Sequence, residues 1–178
     1  MDGYLHRSLI PGEGGGRALI IGIIAVGRLR ERHWQDGAAD YARRIRPYAR
    51  LEVDEVAESR LKDGASEAEE KKAMQDEGRA ILEKLKGHDG VVVALDRQGR
   101  SLESLQMAGW LESMVLEGQK EVAFVIGGPL GLAPEVLERA DCRLSFSRMT
   151  FPHPMMRVIL LEQIYRWLRI MRHEPYHR

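Results

Sequence analysis

The sequence predicts an α/β domain whose mostly parallel sheet is covered by helices on both faces. Two observations carry that prediction. Short, continuous apolar runs rich in Val and Ile recur at residues 18–26 (ALIIGIIAV), 91–96 (VVVALD) and 122–126 (VAFVI). Between and after them lie segments whose apolar residues repeat at helical spacing. Uninterrupted apolar strands suit burial on both faces, which is the condition of a parallel sheet between two helical layers.

Each element has its own reason. Gly27 closes the first run. Trp34, Ala38, Tyr41 and Ile45 follow at steps of four, three and four, one face of a helix that Pro47 stops. Leu51, Val53 and Val56 give a weaker second strand. A charged helix over about 67–86 carries Met74, Ile81, Leu82 and Leu85 as its stripe. After 91–96, Ser101 is the expected N-cap of a helix bearing Leu105, Ala108, Leu111 and Val115. The strand 122–126 is followed by a short helix over 133–139, opened by Pro134, and by a short strand over 143–147. Val158, Leu161, Ile164, Leu168 and Met171 mark a last helix, started by Pro154 and over before Pro175. Residues 1–17 end in Gly14-Gly15-Gly16 without periodicity and are expected to be a flexible extension; residues 18–178 are expected to be one domain.

Composition sets bounds. The chain has 178 residues, 44% of them apolar and 30% charged, as in ordinary globular proteins rather than disordered chains. Its single cysteine, Cys142, forms no internal disulfide and fits a reducing cytoplasm. No apolar run approaches the roughly 18 residues of a membrane span. The 27 basic and 27 acidic residues cancel, but not locally. Residues 1–50 hold 9 basic and 5 acidic side chains, residues 51–141 hold 11 and 20, and residues 142–178 hold 7 and 2. All seven basic residues of the last stretch are arginine, the side chain that forks onto phosphate and stacks on bases. Both ends of the chain therefore suit an anionic partner, or else simply solvate helix faces.

Three segments carry candidate chemistry. Gly127-Gly128-Pro129-Leu130-Gly131 follows a strand, where ligands of parallel sheets bind. It is a ligand loop or a tight turn, and it matches neither a dinucleotide fingerprint nor a Walker loop. In residues 145–154, Pro152 and Pro154 clamp His153 ahead of a helix, as a rigid turn or as a preset loop over a flat ligand. The end, His173-Glu174-Pro175-Tyr176-His177-Arg178, is either a solvated tail or a clamp that stacks on a nucleotide. His173 and His177 have the spacing of a zinc pair, but Pro175 breaks a helix there and Cys142 has no thiol companion, so no metal is expected.

Together, Val26-Gly27, the segment from Ile126 to Leu132, Thr150-Phe151-Pro152-His153-Pro154 with Arg157, and Pro175-Tyr176-His177-Arg178 resemble the RlmH family. These are bacterial 23S rRNA pseudouridine N3-methyltransferases of the SPOUT superfamily, and the resemblance covers about 18–178. It implies a C-terminal trefoil knot, a homodimer, S-adenosylmethionine as methyl donor, and a pseudouridine of helix 69 on the assembled ribosome as substrate. It implies a cofactor pocket lined by Leu95, Gly127, Gly128, Phe146, Ser147, Arg148, Met149, Thr150, Phe151 and Pro152. The expected catalytic residues are His153 or His177 at the base, Tyr176 stacking on it or hydrogen-bonding it, and Arg157, which with Arg178 would hold phosphate or base carbonyls. Arg28, Arg30 and Arg178 are expected to hold RNA, joined by Arg32, Arg43, Arg44 and Arg46. Leu130 stands where the family usually has an acidic residue, so no catalytic role is expected of it. Two rival readings are an RNA- or ribosome-binding module without activity and a tRNA methyltransferase.

Overall fold

A computed structural model describes residues 19–175. The expected N-terminal extension and the tail residues Tyr176, His177 and Arg178 lie outside the described residues. Along the chain run β1 (Ile20–Val26), α1 (Arg32–Ile45), β2 (Arg50–Val56), α2 (Glu67–Lys84), β3 (Val91–Ser101), α3 (Ser104–Leu116), β4 (Glu121–Ile126), α4 (Pro134–Arg139), β5 (Cys142–Ser145) and α5 (His153–Met171). The five strands form one sheet in the order β2-β1-β4-β3-β5, and every pairing is parallel.

Alternation along the strands divides the core in two. Ile21, Ile23 and Ala25 of β1 and Phe124 of β4 face one layer, where they meet Met107 and Leu111 of α3 and Leu160, Ile164 and Trp167 of α5. Ile24 and Val26 of β1 and Val125 of β4 face the other layer, against Ile81 and Leu85 at α2 and Val136 of α4. Both faces of the central strands are thus dry, which is why their sequences are continuously apolar.

Two boundaries differ from expectation for identifiable reasons. β3 continues past Asp96 to Ser101 because it pairs with β5 twice. Val93, Ala94 and Leu95 pair first; after a register shift, Arg100 and Ser101 pair with Leu144 and Ser145. The residues between swing out, with Asp96 Oδ1 accepting the Gln98 N–H at 3.2 Å. Ser101 is consequently a strand residue, and the cap of α3 is Glu103, whose N–H is taken by the Gln106 side chain at 2.9 Å. The last helix begins at His153, with Pro154 inside its first turn, where a missing N–H costs no hydrogen bond. Among the described residues no helix is long and apolar enough to cross a membrane.

Candidate active site

The carboxyl ends of β3, β4 and β5 open into a cavity of about 730 Å³, within the range of small-molecule sites. Its walls are the outswung turn of β3, the loop after β4, and the segment joining β5 to α5. Of the residues expected in a cofactor pocket, Leu95, Gly127, Gly128, Phe146, Ser147, Met149, Thr150, Phe151 and Pro152 line it. Arg148 does not; its side chain is exposed beside the cavity.

The walls are built locally. The loop after β4 folds on itself, with Gly131 N–H donating to Gly128 O at 2.9 Å. Gly131 holds φ +89°, a conformation that favours glycine. In the β5–α5 segment the Ser145 hydroxyl lies within 3.1 Å of Arg97 O and 3.2 Å of Ser147 O. Met149 N–H reaches Ser147 Oγ at 3.0 Å. Phe146 is pinned from behind by Trp167, ring centroids 6.3 Å apart, so one wall of the cavity is continuous with the core. At the rim, Arg143 Nε donates to Asp96 Oδ2 at 2.8 Å and ties β5 to the turn of β3.

His153 opens α5 and lines the cavity. Its ring faces the Gly127 carbonyl across the cavity wall, since both residues line the same space. Burial holds its pKa below the ordinary value; nearby Arg157 adds to that, while Glu58 and the Gly127 carbonyl oppose it. A lowered pKa favours the neutral imidazole at pH 7, which offers one nitrogen as an acceptor.

Arg157, one turn further, is placed differently from the expectation. It is buried, 4% exposed, and does not line the cavity. Its guanidinium donates to Glu55 Oε1 at 2.6 Å and to Gly27 O at 2.7 Å. It fastens the first turns of α5 to the ends of β1 and β2. Arg28 is exposed and sits 3.7 Å from Glu55, and Arg30 is exposed on the same loop. Arg43 and Arg44 share Asp40.

The sequence marks Asp96 at the end of the apolar run 91–96 but gives no account of three other carboxylates around this site, Glu55, Glu58 and Glu77. Glu77 carried a signal: with Gly78 it falls inside the stripe of Met74, Ile81 and Leu85, so the helical period turns it inward. Among the described residues no group of three His, Cys, Asp or Glu could hold a metal ion.

A parallel sheet that binds its ligand on main-chain loops beyond the strand ends defines a class of α/β enzymes built for nucleotide-like cofactors. Within that class the chain belongs to the SPOUT methyltransferases: the family model described as "Predicted SPOUT methyltransferase" matches residues 19–177. A relative from Carboxydothermus hydrogenoformans, named Ribosomal RNA large subunit methyltransferase H, is 49% identical over 158 residues, 89% of this chain and 99% of that one. A protein of the same name from Clostridium beijerinckii is 42% identical over 158 residues, again 89% of this chain and 99% of that one. A solved TrmH/SpoU tRNA modifying enzyme from A. aeolicus is similar at TM-score 0.45 and 16% identity, over 89% of this chain and 81% of that one.

Proposed function

We propose that this chain methylates N3 of a pseudouridine in helix 69 of 23S rRNA on the assembled ribosome, acting in the cytoplasm as a homodimer. The coarser part stands without proposal: it is an S-adenosylmethionine-dependent methyltransferase of the large-subunit rRNA type. The observation that carries the reading is the cavity at the carboxyl rim, lined by the loops that the family resemblance singled out. The cavity suits an adenosyl ligand in volume and in chemistry. It offers the apolar walls of Leu95, Ile126 and Phe146 and the bare backbone of Gly127 and Gly128.

When bound, S-adenosylmethionine supplies a methyl group already activated on a sulfonium. The chain's own work is to hold, orient and remove a proton. The loops at 127–131 and 146–152 hold the donor, and alignment of the base against it is the largest contribution, up to about 7–11 kcal/mol. His153 takes the N3 proton: it lines the cavity, and burial lowers its pKa, which favours the neutral ring that can accept a proton. Arg157 positions His153 by anchoring α5 rather than touching the substrate. In this reading Tyr176 stacks on the base, Arg178 holds phosphate, His177 is the alternative base, and Arg28 and Arg30 hold RNA.

The trefoil knot is part of the same proposal. Its support is the path of the chain after β5. From the sheet edge, that chain crosses the strand ends to place His153 at Gly127 and Arg157 at Gly27. Residues 18–178 then act as one methyltransferase domain.

Incubation with labelled S-adenosylmethionine and assembled ribosomes, followed by nucleoside mass spectrometry, tests the reading. The expected product is one methylated pseudouridine in the helix 69 fragment. Label in tRNA alone, or tight ribosome binding without any transfer, overturns it.

A further inference from the structure

Glu77 is 5% exposed on α2, and among the described residues no basic side chain pairs with it. Its Oε1 accepts the Ser59 N–H at 2.8 Å, on the segment that follows β2. Its Oε2 lies against Gly128, so closely that a Cβ there would collide with it. The adjacent Gly78 meets the far end of the same loop: a Cβ at Gly78 would stand 2.6 Å from Ala133 Cβ. Two consecutive residues of α2 therefore form the floor under the loop that lines the cavity, and the roof of that contact is Gly128 itself. A side chain at Gly78 would push the loop and helix apart, and one at Gly128 would displace the Glu77 carboxylate.

A largely buried carboxylate without a cation is costly, and a neutral side chain would hold Ser59 at less expense. Here burial raises the Glu77 pKa; the Ser59 N–H opposes that, and Glu58, a like charge, adds to it. The cost is offset if the missing cation arrives with the ligand on the other side of Gly128.

We infer that Glu77 is a charge-selecting positioning residue of the cofactor site. It props Gly128 from beneath, and its carboxylate favours the sulfonium donor over the neutral thioether left after transfer. The inference rests on the functional reading above. It adds that the site distinguishes donor from spent product by charge, through one residue that touches neither.

Calorimetry at pH 8 on the full chain tests this with three probes: S-adenosylmethionine, the neutral S-adenosylhomocysteine, and sinefungin, which carries an ammonium at the sulfonium position. Glu77→Gln keeps the shape and the acceptor for Ser59 but removes the charge. The expected result is a loss of affinity for both cationic probes of about three- to tenfold relative to the neutral one, the scale of a single charge near a protein surface. Equal weakening of all three probes, or no change in their ratio, overturns the inference and leaves a purely structural Glu77. If Glu77→Gln does not fold by circular dichroism, Glu77→Asp carries the test. It keeps the charge, so the wild-type ratio should persist even where all affinities drop; a collapsed ratio overturns the inference. If the wild-type chain binds none of the probes, the functional reading itself falls, and this inference with it.

Discussion

Arg157 on α5 donates to the Gly27 carbonyl at the end of β1, 2.7 Å away, so the helix that opens with His153 is tied to the strand that opens the sheet. The same guanidinium reaches Glu55 Oε1 on β2 at 2.6 Å. This contact spans most of the chain and fixes where the β5–α5 segment must end. Arg157→Ala strips the half-buried Gly27 carbonyl of its donor, while Glu55, about a third exposed, regains water. The expected loss is about 2–3 kcal/mol in urea unfolding, the size of charge-assisted hydrogen bonds. Arg157→Lys should recover part of it, since one ammonium cannot reproduce the fork. Cofactor affinity should fall with stability, because the cavity wall at 146–152 runs straight into this helix. An Arg157→Ala protein as stable as wild type would show that the helix is held elsewhere.

His153 makes stability and activity depend on pH in a stated direction. Its folded pKa is below the ordinary histidine value, chiefly through burial. Below that ordinary value, about 6.5, the unfolded chain takes up a proton more readily than the folded one. The contribution of His153 is therefore complete above about pH 6.5 and is lost as pH falls below it. The stability gap between wild type and His153→Gln should narrow between pH 7 and pH 5. As the base, His153 should also give a methyl-transfer rate that rises with pH to a plateau, its half-point on the acid side of 6.5. His153→Ala should lower kcat by about 10²–10⁴-fold. If His153→Ala and a His177→Ala chain both transfer methyl at the wild-type rate, no histidine is the base.

The strands were legible because burial on both faces leaves no room for polar residues, and β1 and β4 show it without interruption. The far half of β3 was not, since Arg97, Gln98, Gly99 and Arg100 are polar and become strand only through a second register with β5. Ser101 has the chemistry of a cap, but pairing with Ser145 claims it first. The loops of the site announced themselves through Gly127-Gly128 and through the prolines around His153, because backbone constraint is written in residue type. Their walls, their partners and the carboxylates beneath them depend on which elements meet in space. Glu77 and Gly128 are 51 positions apart, and nothing local links them. For the same reason Arg157 reads as catalytic beside His153, whereas its actual partners lie on β1 and β2.

Phe146 couples the cavity to the core. Its ring lies 6.3 Å from that of Trp167, which is buried and in turn 5.8 Å from Phe124 of β4. Phe146→Ala removes a half-buried aromatic, so roughly 2 kcal/mol is expected, about half the cost at a fully buried site. The same substitution takes away one apolar wall and should weaken S-adenosylmethionine binding, measured by calorimetry, more than Leu105→Ala, an exposed change on α3 that does not line the cavity. Equal binding by the two variants would remove Phe146 from the site.

The arginines of the first loop and helix should not contribute equally to RNA binding, because some are already paired. Arg43 and Arg44 share Asp40, and Arg32 lies 3.7 Å from Asp36. Arg30 is exposed and has no ion-pair partner among the described residues. A free arginine can neutralise a phosphate without first giving up a carboxylate. Affinity for ribosomes should therefore fall with salt, and Arg30→Ala should reduce the slope of log affinity against log salt by about one phosphate contact, 0.7–0.9. Arg43→Ala should change the slope less, since the carboxylate it leaves behind still has Arg44. Filter binding across a salt series reads both slopes. A slope equal to wild type in Arg30→Ala would place the RNA on another face of the protein.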